Sequence, residues 1–286
     1  MTRAATSLAL TAIGLWSFLA LVGVRLSHLP PFLVLAVAFG ISGLAGLVRW
    51  RSWRVPPATY LVGLGGIFGY HFLYFTAFRF APAVELSLIN YLWPLLIVVL
   101  SPLFLRRTRL HLNHVIGAVA GFSGAALIAS GGRFRLDLVR FQGYLLMVAA
   151  ALTWAVYSLM TKRLAPFPTS AVGGFCLTTS LLAFALCALE GQLPALATVT
   201  GRDIAFLVFG GLGPMGAAFY AWDAALKRGD PRVIGALAYL TPMASTLVLV
   251  IAGAGTLTWV SGVALVLIVA GAAIGSLELG HPPRPS

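Results

Sequence analysis

Acidic residues are almost missing from this chain of 286 residues: Asp and Glu together number seven. No acidic repeat could ring a pore and no loop between apolar runs resembles a selectivity filter, which argues against an ion channel. No pair of carboxylates shares one depth, and neither His-Glu-x-x-His nor Gly-x-Ser-x-Gly occurs, so enzyme catalysis has no visible machinery. A Walker A motif is also absent, so ATP is not expected to drive this protein directly. Lys and Arg do not fall in the middle of any apolar run, which disfavours a phosphorylated substrate. The two cysteines, Cys176 and Cys187, lie on one expected helix. Their separation there is about 16 Å along the axis, too far to pair. No His/Cys/carboxylate cluster accompanies them, so neither a metal nor a cofactor is expected.

Apolar residues dominate instead. They make up 60% of the chain, against 9% charged, and a soluble domain carries roughly 25% charged residues. The expected fold is an all-α integral membrane protein. Ten runs are long enough to span, near residues 5–24, 31–49, 58–79, 82–103, 112–130, 141–161, 169–189, 202–226, 232–251 and 257–277. The first is too long to be only a cleaved leader.

The net charge of +12 would suit nucleic acid, but its placement argues against that partner. Basic residues collect at span ends. Counted on alternate sides, thirteen share one face: Arg3, Arg49, Arg51, Arg54, Arg106, Arg107, Arg109, Lys162, Arg163, Lys227, Arg228, Arg232 and Arg284. Six lie on the other: Arg25, Arg79, Arg133, Arg135, Arg140 and Arg202. The positive-inside rule then puts both termini in the cytoplasm. Trp50, Trp53 and Trp259 read as anchors at the lipid–water interface.

Two segments are written twice. Gly63-Leu64-Gly65-Gly66 precedes Tyr91-Leu92-Trp93-Pro94, and Gly211-Leu212-Gly213-Pro214 precedes Tyr239-Leu240-Thr241-Pro242. One offset, 148 residues, relates both pairs. The expected units are residues 1–135 and 136–286, each with five helices. Five is odd, so the second unit would cross the membrane upside down, an inverted repeat. Helix 5 carries Gly117-x-x-x-Gly121 and helix 10 carries Gly271-x-x-x-Gly275, small-residue pairs suited to close packing. Pro94, Pro214 and Pro242 fall inside spans, where each removes a backbone hydrogen bond. With Gly65, Gly66 and Gly213 they are the expected hinges.

Aromatic residues away from the interfaces form the expected binding set: Trp16, Tyr70, Tyr74, Tyr91, Trp93, Trp154, Tyr157, Trp222 and Tyr239, with Tyr220 on the same helices. Lipid cannot satisfy an indole N–H or a phenol, so their tips should point into the bundle. His71 sits between Tyr70 and Tyr74 and could meet a carboxylate or move a proton. Glu85 could serve the start of its helix or take part in coupling. Asp223 and Lys227 form an i,i+4 pair, structural or part of a gate.

With this order of motifs the chain resembles the drug/metabolite transporter superfamily, in its ten-helix EamA-type branch. Tyr70-His71-x-x-Tyr74, Tyr91-x-Trp93-Pro94 and Trp154 make it similar to the bacterial aromatic amino-acid exporters. That resemblance implies an exporter of aromatic and other neutral amino acids in the bacterial inner membrane, working by alternating access, with aromatic cations as further substrates. Stacking and cation–π faces suit such ligands independently. A permease for lipophilic cations is the alternative, with Glu85 or Asp223 as the counter-charge. A membrane scaffold using the glycine faces is a third reading. Nothing in the sequence calls for more than one copy of the chain, and a monomer would suffice.

Overall fold

The computed structural model describes residues 2–105, 110–133 and 137–276. Arg106, Arg107, Arg109, Arg135, Arg284 and the expected boundary at residue 135 lie outside them. The described chain is helical. We number the helical runs α1 (Arg3–Arg25), α2 (Pro31–Trp53), α3 (residues 57–77), α4 (Ala83–Phe104), α5 (Leu112–Ser130), α6 (Phe141–Arg163), α7 (Thr169–Leu189), α8 (Gly201–Arg228), α9 (Pro231–Ile251) and α10 (Trp259–Ser276). Eight of these, all but α3 and α10, are at once long and apolar enough to cross a membrane; α10 is a shorter apolar helix.

Local sequence explains most boundaries. Pro31, Pro57 and Pro231 open α2, α3 and α9 at positions where a missing N–H costs nothing. Thr200 and Asp203 form a reciprocal capping box at the start of α8. Gly131 ends α5 at φ 58°, a conformation that suits glycine.

Small residues set the packing. Without a hydrophobic drive between helices in lipid, backbones must come close enough for contact energy to accumulate. The two Gly-x-x-x-Gly faces meet each other: a Cβ on Gly117 would strike the Gly271 carbonyl and Gly275, and one on Gly271 would strike the Gly117 carbonyl and Gly121. On α2, Gly43 has the same relation to the backbone of Leu177 on α7, and Ser180 Oγ donates to the Ala36 carbonyl at 2.6 Å. Gly117→Leu should therefore destabilise the bundle by about 1–3 kcal/mol. A thermal unfolding series in detergent checks this, with Gly14→Leu, which meets open space, as the neutral comparison.

The doubled motifs reappear as doubled backbone irregularities. Gly65–Gly69 and Gly213–Ala217 are both π-helical turns. Both helices containing the Tyr-x-x-Pro motif break at the tyrosine, at Tyr91 in α4 and at Tyr239 in α9. Each break lies three residues before the proline that lacks an N–H. Residues 148 apart also touch: Tyr239 Oη donates to the Tyr91 carbonyl at 3.2 Å. His71 and Phe219, at the same offset, have ring centroids 6.1 Å apart.

Three further observations refine the sequence reading. α1 is interrupted after Trp16, where Ser17 Oγ donates to the Gly14 carbonyl at 2.6 Å. Trp50 and Trp259 are exposed as anchors should be, but Trp53 packs against Gly173 and Gly174 of α7. Cys176 and Cys187 are buried free thiols.

Candidate functional site

Four tryptophans from four helices meet at the centre of the bundle. Trp16 of α1, Trp93 of α4, Trp154 of α6 and Trp222 of α8 touch in all six pairings, with ring centroids 5.0–6.3 Å apart. All are buried, Trp222 completely. Most contacts are edge-to-face, the arrangement that ring quadrupoles favour. Trp222 Nε1 donates to Ser158 Oγ at 3.1 Å. The indole N–H groups of Trp16, Trp93 and Trp154 make no hydrogen bond among the described residues.

A second group continues the cluster along α3. Tyr70 stands 5.5 Å from Trp154, 4.9 Å from His71 and 5.7 Å from Tyr74. Tyr70 Oη donates to Asn90 Oδ1 at 3.2 Å, linking α3 to α4 just before the break at Tyr91. Tyr70, His71, Tyr74 and Tyr91 are each partly exposed.

His71 is fixed in one orientation. Its Nδ1 lies 2.7 Å from the Ile67 carbonyl, within the turn that the π segment distorts. A carbonyl only accepts, so Nδ1 carries the proton and Nε2 is left for another partner. The ring is held by Phe39, Tyr70 and Phe219 at 5.1, 4.9 and 6.1 Å.

The remaining expected residues divide clearly. Tyr157 packs on Trp154 at 5.2 Å, and its ring fills the place of the missing Gly66 side chain. Gly65 and Gly213 have open space or ordinary contact around them. Pro94, Pro214 and Pro242 are buried in the bundle. Tyr239 stands apart from the tryptophans: it is fully buried beside Gly121, among Ala125, Met243 and Ile268. Glu85 accepts from Arg140 at 3.2 Å and from Tyr144 at 2.6 Å, so it clasps α4 to the start of α6. Asp223 receives Lys227 at 2.6 Å and Thr169, and Lys227 also donates to the Phe167 carbonyl. Phe39, Phe75 and Phe219 also touch His71 and were not expected. No group of residues suited to a metal occurs among the described residues.

Glu85→Gln should leave a neutral amide under Arg140 and weaken the clasp by about 0.5–1 kcal/mol, since the Arg140 end of the pair is partly solvated. Thermal unfolding of this variant beside Arg140→Gln reads the effect; equal losses in the single and double variants are expected.

A helical membrane bundle built around an aromatic cluster, with paired irregular helices beside it, is the setting of a carrier for small molecules. The chain belongs to the EamA-like transporter family, whose profile matches twice, at residues 3–130 and 141–277. It is 42% identical over 282 residues to the aromatic amino acid exporter YddG of Ancylobacter novellus, covering 96% of this chain and 97% of that one. It is 25% identical over 260 residues to the aromatic amino acid exporter YddG of Salmonella typhimurium, covering 86% and 87%. A solved crystal structure 41% identical in sequence superposes with a TM-score of 0.89 over 96% of this chain and 97% of that one. The protein is a multi-pass membrane transporter rather than an enzyme.

Proposed function

We propose that this transporter exports aromatic amino acids from a bacterial cytoplasm across the inner membrane. The observation that carries the reading is the tryptophan cluster with His71 beside it: broad ring faces next to one polar group that can address an amino-acid head. The names of the two relatives point the same way. In this reading Trp16, Trp93 and Trp154 hold the substrate ring, and Tyr70, His71, Tyr74 and Tyr91 receive the head. Tyr157 and Trp222 support them from behind, and Tyr239 braces the break in α4.

All ten helices cross the membrane, as two inverted units of five, with both termini cytoplasmic. The shared offset of the π turns and tyrosine breaks supports this, as does the double match of the family profile. Residues related by a two-fold axis touch only near that axis, so it passes between Tyr91 and Tyr239 and between His71 and Phe219. The π turns and proline breaks are where helix halves would swing between access states, because there the ladder of hydrogen bonds is already incomplete. Coupling to protons, if present, runs through His71, since Glu85 is engaged by Arg140 and Tyr144.

Ligand stabilisation tests the substrate class. A ligand at a hundred times its dissociation constant raises stability by about 2.7 kcal/mol. L-Tryptophan and L-phenylalanine should raise the unfolding temperature of the detergent-purified protein, and L-alanine and L-lysine should not. Stabilisation by lipophilic cations alone would favour the drug permease instead.

A further inference from the structure

A second opening lies away from the tryptophans. It is a crevice of about 510 Å³ between α2, α8 and the start of α7. Its apolar wall includes Ala45, Val48 and Leu212, all exposed on the bundle's outer surface. Its polar groups are few. Ser42 is 2% exposed, and its hydroxyl lies beside the Tyr220 hydroxyl and the Cys176 thiol. Arg49 is at the interfacial end, with no side-chain hydrogen bond or ion pair among the described residues.

The repeat explains why this space exists. At the 148-residue offset, Gly216 and Tyr220 of α8 correspond to Phe68 and Phe72 of α3. Those phenylalanines stack on each other at 5.9 Å, and Phe72 stacks on Phe32 at 6.3 Å. On α8 a glycine and a phenol stand there instead. A Cβ on Gly216 would lie 3.2 Å from Ser42 Oγ, and one on Gly46 would lie 2.7 Å from Tyr220 Oη.

We propose that this crevice is a binding site for one anionic phospholipid. An apolar side open to the bilayer accepts an acyl chain. Arg49 takes the phosphate, beside Trp50, on which Arg51 and Arg54 already lie at 5.8 and 5.7 Å. A basic group at the head of an inter-helix pocket is the arrangement that selects anionic headgroups. The π turn at Gly213–Ala217 forms part of the wall, so the lipid lies against a proposed hinge.

Native mass spectrometry of the purified full chain tests this, with phosphatidylglycerol, phosphatidylcholine or inorganic phosphate as the probe. Phosphatidylglycerol should bind as a single adduct, and the other two should not. Arg49→Gln should weaken that adduct about fivefold, the worth of one interfacial cation. Ala45→Phe, at an exposed helical position that tolerates a larger side chain, should remove it. Arg54→Gln, equal in charge but outside the crevice, should leave it intact. The proposal fails if both arginine variants lose binding equally, if both lipids bind alike, if phosphate alone suffices, or if the adduct survives Ala45→Phe.

Discussion

Tryptophan flux should fall roughly a hundredfold in His71→Asn, although the protein stays folded. The reason is the division of labour within the imidazole. Nδ1 satisfies the Ile67 carbonyl, and Nε2 is the atom available to a substrate head. An asparagine amide can reach the position of Nδ1 and keep the internal bond. It cannot reach the position of Nε2. Glutamine reaches further and should retain part of the flux while losing the bond to Ile67. A hydrogen bond to a charged group is worth about 1.5–3 kcal/mol, which sets the size of the loss. Liposome flux together with thermal unfolding separates the two functions. A purely structural histidine would give the opposite order, with asparagine active and glutamine impaired.

Trp154 should be the most damaging aromatic to truncate. Its ring touches Trp16, Tyr70, Trp93, Tyr157, Phe219 and Trp222, joining the buried cluster to the accessible residues of α3. Trp154→Ala should cost about 3–5 kcal/mol of stability and abolish flux. Trp154→Phe fills much of the space and should keep the fold, yet still reduce affinity for tryptophan, because the indole face and N–H are gone. Thermal unfolding and competition by unlabelled tryptophan measure the two effects. The comparison with Trp222→Phe is informative. Trp222 is fully buried and bonded to Ser158, so that variant should lose stability while apparent affinity stays near the original.

The helices were legible because apolar runs of spanning length leave little choice, and the paired irregularities because glycine and proline punctuate the chain at a repeated offset. The same spacing that marked Gly65 and Gly213 as hinges marks the two π turns, although glycine alone does not say which helical irregularity will form. The aromatic set was legible for tryptophan and tyrosine, whose polar atoms are costly in lipid. Phe39, Phe75 and Phe219 gave no such signal, because phenylalanine is equally at home facing lipid; Phe72 and Phe78, for example, are exposed. The hydroxyl of Tyr239 donates to the Tyr91 carbonyl, a contact between distant backbone and side chain that no local pattern foretells. The clasp of Glu85 by Arg140 and Tyr144 joins residues distant in the chain, and no local pattern encodes it. The lipid crevice became readable only when Phe68 and Phe72 could be set against Gly216 and Tyr220.

The most direct test of the central claim is uptake of labelled L-tryptophan by liposomes preloaded with unlabelled L-tryptophan and containing the purified protein. The account predicts saturable exchange, competed by phenylalanine and tyrosine but not by alanine, and lost in His71→Asn. Folded protein that exchanges no tryptophan, or whose exchange is indifferent to His71, would contradict it.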